Sequence, residues 1–69
     1  MNIFNLICEY YDNNKHIRSY AKDFYSKDKV IEKYNALTQD KDIVSINIVM
    51  RNDNAIKSMS IDELKNTTF

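Results

Sequence analysis

Polar and apolar residues alternate from the start of the chain. Phe4, Leu6, Cys8 and Tyr10 fall on one face of a strand over residues 3–11. The other face carries Ile3, Asn5, Ile7, Glu9 and Tyr11 and is half apolar. A strand with two usable faces belongs in the middle of a sheet. Asp12-Asn13-Asn14-Lys15 follows. Asn accepts positive φ better than other non-Gly residues, so Asn13-Asn14 is the expected two-residue hairpin turn. Residues 16–25 then return antiparallel, with Tyr10 facing Ile17, Cys8 facing Ser19 and Leu6 facing Ala21. On the opposite face Glu9 meets Arg18, Ile7 meets Tyr20 and Ile3 meets Phe24, which are favourable cross-strand partners. Ile17, Tyr20, Ala21 and Phe24 also fit a helical stripe. The strand is preferred because an opening strand needs a partner.

Ser26 is a good N-cap and Asp28 places negative charge in a first turn. Val30, Ile31, Tyr34 and Leu37 then predict an amphipathic helix over residues 27–39. Residues 43–51 alternate again. Val44, Ile46, Ile48 and Met50 take one face, and Ile43, Ser45, Asn47, Val49 and Arg51 the other. Asn52-Asp53-Asn54 is a turn into a short fourth strand over 55–59. Ser60 with Glu63 makes a capping box for a short helix to residue 66, and residues 67–69 should fray.

These elements predict one α+β domain over residues 1–69, an antiparallel sheet ordered 2-1-3-4 with the long helix on one face. Val30, Ile31, Tyr34 and Leu37 should pack on Phe4, Leu6, Val44, Ile46 and Ile48. The chain has 69 residues, ten cations against ten acids, and 43 % hydrophobic residues, which fits a folded domain rather than a disordered segment. With no Gly there is no Gly-rich phosphate loop, and one Cys with one His cannot make a structural zinc site. No metal, cofactor or membrane span is expected. No basic n-region precedes the first apolar run, and a lone Cys suits a reducing cytoplasm. Without a secretion signal the Asn66-Thr67-Thr68 sequon is chance.

Residues with AT-rich codons dominate: nine Ile, nine Asn and eight Lys against three Ala and two Arg. That bias points to an AT-rich bacterial host, or to a phage or mobile element within one. In size and composition alone the chain resembles the small phage and mobile-element proteins that bind a host enzyme or defence complex stoichiometrically.

Chemistry-bearing residues are sparse. Cys8 reads as a buried hydrophobe rather than a nucleophile, because the expected register puts His16 on the other face. His16 reads as a turn-flanking residue with no triad around it, and the paired acids sit where caps and turns explain them. An enzyme is therefore not expected.

Two surfaces remain. Ile3, Ile7, Tyr11, Tyr20 and Phe24 are expected on the sheet face away from the long helix. Their cover could be the short C-terminal helix, a second copy in a homodimer, or a partner protein, and Tyr suits such an interface. Residues 13–41 carry seven cations against four acids, net +3. Lys15, Arg18, Lys22, Lys27, Lys29 and Lys33 form the alternative, a weak nucleic-acid face. The leading expectation is a non-catalytic protein-binding module.

Overall fold

A computed structural model describes residues 1–69. The order is β1 (Ile3–Tyr11), β2 (Ile17–Phe24), α1 (Lys27–Leu37), β3 (Ile43–Arg51), β4 (Ile56–Met59) and α2 (Ile61–Asn66). The sheet runs β2-β1-β3-β4 with every neighbouring pair antiparallel. The expected α+β topology is present, with β1 and β3 central. No helix is long and apolar enough to cross a membrane.

The helix starts follow from local chemistry. The Ser26 hydroxyl accepts from the Lys29 amide and opens α1. Ser60 and Glu63 bond reciprocally to each other's backbone amides and open α2. Both helices pack on the same sheet face. There Phe4, Leu6, Cys8, Ile48, Met50 and Met59 form the core with Val30 and Leu37 of α1 and Leu64 of α2. Ile31 and Tyr34 lie half-buried against it. The two helices are also tied: the Lys27 ammonium donates to the carbonyls of Lys65 (3.1 Å) and Thr67 (2.7 Å). A cation thereby meets the negative end of α2.

Three details differ from the sequence reading. The hairpin turn is one residue longer than Asn13-Asn14 alone. The Lys15 amide donates to Asp12 O (3.0 Å), Lys15 takes φ 64°, and the Asp12 amide donates to His16 O (2.9 Å). This is a type I turn closed by a left-handed residue, giving a three-residue loop. Its consequence is a register in which Cys8 faces Tyr20 and Phe4 faces Phe24. A one-residue slip turns every β2 side chain over. Tyr20 and Phe24, expected on the open face, therefore lie on the helix face against the core.

The second detail is a bulge. Cys8 faces Ile46 and Glu9 faces Ser45, but Tyr10 faces Ile43, so Val44 is the extra residue of β3. Ile43 turns inward and packs against the core, while Val44, expected in the core, is 44 % exposed. The third is the tail. Instead of fraying, Phe69 sets its ring edge-on to Phe4 with centroids 5.2 Å apart.

Candidate protein-binding face

Because both helices share one face, the other face of the sheet has no cover within the chain. Ile3, Ile7 and Tyr11 of β1 stand on it, as expected. Strand parity adds Ile17 of β2, Val49 of β3 and Ile56 of β4. Tyr11 and Ile17 sit directly opposite each other, 43 % and 56 % exposed, and Ile56 is 79 % exposed. The reading by sequence missed Ile17 because the slipped register had turned it inward. Its apolar character opposite Tyr11 would have marked the face once Lys15 was assigned to the loop.

Polar groups punctuate the apolar ones. Asn5 Nδ2 donates to Asp23 Oδ1 at 2.9 Å, and Arg51 Nη2 reaches Asp23 Oδ2 at 3.4 Å, so three strands are linked across the face. Farther along, Ser45 Oγ donates to Glu9 Oε1 at 2.7 Å. The surface is thus a row of isoleucines and a tyrosine between fixed hydrogen-bonding groups, a mixture typical of protein interfaces.

The six basic candidates do not form one patch. Arg18 Nε pairs with Asp12 Oδ2 at 3.0 Å, and Lys27 is engaged at the end of α2. Lys22 lies over the Phe24 ring with its Nζ 5.4 Å from the centroid. Lys29 and Lys33 of α1 line a shallow depression beside the same ring, together with Glu32. Lys15 stands apart on the hairpin turn.

Cys8 is wholly buried under the helix layer opposite Tyr20. The lengthened turn brings His16 to the same side as Cys8, not the opposite side. Four strand positions still separate them, roughly 13 Å at the rise of a strand. Burial, with Cys8 beside it, raises the Tyr20 phenol above its ordinary 10.0, so this tyrosine stays neutral. No three His, Cys, Asp or Glu side chains gather as metal ligands would. Comparison with protein-family models, with curated proteins and with solved structures finds no match to this chain.

Proposed function

We propose that this protein is a non-catalytic binding module that docks a partner protein on its open sheet face. One observation carries the reading: both helices lie on one side of the sheet, and on the other no element packs over Tyr11, Ile17 and Ile56, which are exposed, or over Ile3, Ile7 and Val49, which are half-buried. A large apolar side chain left fully in water forgoes about 1.5–3 kcal/mol of burial and a half-buried one less, so a protein that covers this face gains affinity. The AT-rich residue usage and the small size fit a phage or mobile-element protein acting in a bacterial cytoplasm by occluding a host or defence protein.

The test is quantitative capture from an AT-rich bacterial host with two baits, the parent and Ile7→Lys/Tyr11→Lys. Both substitutions lie off the core face, so the variant should keep its circular dichroism spectrum. The parent should retain one protein at equal stoichiometry, and the variant should lose it. Equal recovery on both baits contradicts the face assignment. Recovery of RNA or DNA that falls steeply with salt contradicts the reading and favours the lysines around Phe24.

A further inference from the structure

β2 is the outer strand on the hairpin side of the sheet. It pairs with β1 along its whole length without a bulge. The hydrogen-bond alternation identifies which of its main-chain groups are used. The Asp12 amide donates to His16 O at 2.9 Å, so pairs two residues apart along the ladder, Tyr10 with Arg18, Cys8 with Tyr20 and Leu6 with Lys22, point their main-chain groups at each other. The N–H and C=O of Ile17, Ser19, Ala21 and Asp23 therefore point away from β1. No strand lies beside them, and no hydrogen bond of the chain uses them.

Side chains alternate along this edge. Arg18, Tyr20, Lys22 and Phe24 stand on the helix face, and Ile17, Ser19, Ala21 and Asp23 on the open face. On the helix face the edge is basic. Asp12 holds Arg18, but no ion pair of the chain includes Lys22, Lys29 or Lys33. Lys22 extends over the Phe24 ring, and Lys29 and Lys33 line a depression of about 210 Å³ beside the same ring, in which Glu32 is the one acid. The acid of the edge itself, Asp23, stands on the other face and is held there by Asn5 and Arg51.

We propose that the β2 edge is a second docking site, taking an extended acidic segment of a partner protein by antiparallel strand addition. The segment carries a carboxylate at every second residue. In register, those side chains lie on the helix face opposite Arg18, Tyr20, Lys22 and Phe24, beside the three unpaired lysines. The residues between them pair through main-chain hydrogen bonds with Ile17, Ser19, Ala21 and Asp23, and their side chains extend the open face. A second copy of the chain is the wrong occupant. Two β2 strands laid antiparallel about Tyr20 would set Arg18 of each opposite Lys22 of the other, and like charges directly opposite destabilise the pair. Centring the pair on Ser19 or Ala21 keeps all four cations on one face of adjacent strands, where β2 supplies no acid. A nucleic-acid strand would meet the lysines but leave the main-chain groups of the edge unpaired.

A blocked peptide of alternating glutamate and valine, as long as β2, is the probe. At low salt it should bind the full-length protein saturably with Kd below about 1 mM, and the peptide with lysine in place of glutamate should not bind. On binding, hydrogen exchange of the Ser19 and Ala21 amides should slow at least about tenfold, because these are the N–H groups that gain partners. N-methylating the valine that faces Ala21 should weaken binding about fivefold, the worth of one net hydrogen bond. Lys22→Glu/Lys29→Glu, at two exposed positions, should weaken it at least about tenfold without altering the circular dichroism spectrum. Ile56→Gln, on the far side of the open face, should leave it unchanged, which separates this site from that face. Absence of binding, equal binding of the lysine peptide or of the N-methyl peptide, unaltered Ser19 and Ala21 exchange, or loss on the Ile56→Gln variant would each overturn the proposal. So would tighter binding of an oligothymidylate of the same length, which would assign the lysines to nucleic acid.

Discussion

Lys15 holds φ 64° in a chain with no glycine, so the hairpin closes on a residue whose Cβ opposes that conformation. The strain is accepted because Asp12 fixes the rest of the turn. Its carboxylate accepts from the amides of Asn14 (2.9 Å) and His16 (3.0 Å) and from Arg18 Nε (3.0 Å). Lys15→Gly should therefore stabilise the protein by about 1 kcal/mol, read as a higher denaturation midpoint at unchanged m. An unchanged midpoint would mean that Lys15 is not strained. Arg18, followed by the His16 amide, holds the Asp12 carboxyl below its usual 3.8. The Ser60 amide, followed by Lys57, holds Glu63 below its usual 4.5. With folded-state values under the unfolded ones, the unfolded chain binds more protons in mild acid. The contribution of both groups is complete at neutral pH and is lost as pH falls through their folded values. The melting temperature should be level above about pH 5 and decline below it. Asp12→Asn with Glu63→Gln should flatten that decline, and superimposable profiles of parent and double variant would contradict the assignment.

At the scale of elements, the parts of the fold visible in the sequence are those fixed by near neighbours. Ser26, Ser60 and Glu63 announce the two helices, and alternation locates β1 and β3. Side-chain facing on β2 was not legible, because it depends on loop length. Asn13-Asn14 offers a plausible two-residue turn, and only the extra left-handed residue at Lys15 moves Tyr20 and Phe24 to the core and Ile17 to the open face. The bulge at Val44 was hidden for the same reason, since Ile43 and Val44 are equally apolar and either could face inward. The tail is a long-range effect: Phe69 finds Phe4 across the whole sequence. Deleting Phe69 should cost about 1 kcal/mol, the worth of an edge-to-face aromatic pair, measured by chemical denaturation. A deletion without effect would show that the ring contributes nothing to α2 docking.

As a whole, the molecule is a slab of 41 × 20 × 16 Å with one sheet layer and one helix layer. Only nine side chains are buried, so each carries a large share of a stability of about 5 kcal/mol or less. Ile48→Ala should cost about 2–5 kcal/mol and leave the domain largely unfolded at room temperature, seen as loss of its cooperative melt. A surviving sharp transition would move the core elsewhere. The two-layer build leaves one sheet face bare, and that face is the basis of the functional reading. The most direct test is methyl NMR of the labelled protein titrated with the partner that the parent bait retains. The account predicts that the methyl signals of Ile3, Ile7, Ile17, Val49 and Ile56 shift or broaden together while those of Ile48 and Leu64 stay in place. Perturbation confined to the helix side, with those five signals unmoved, would contradict it.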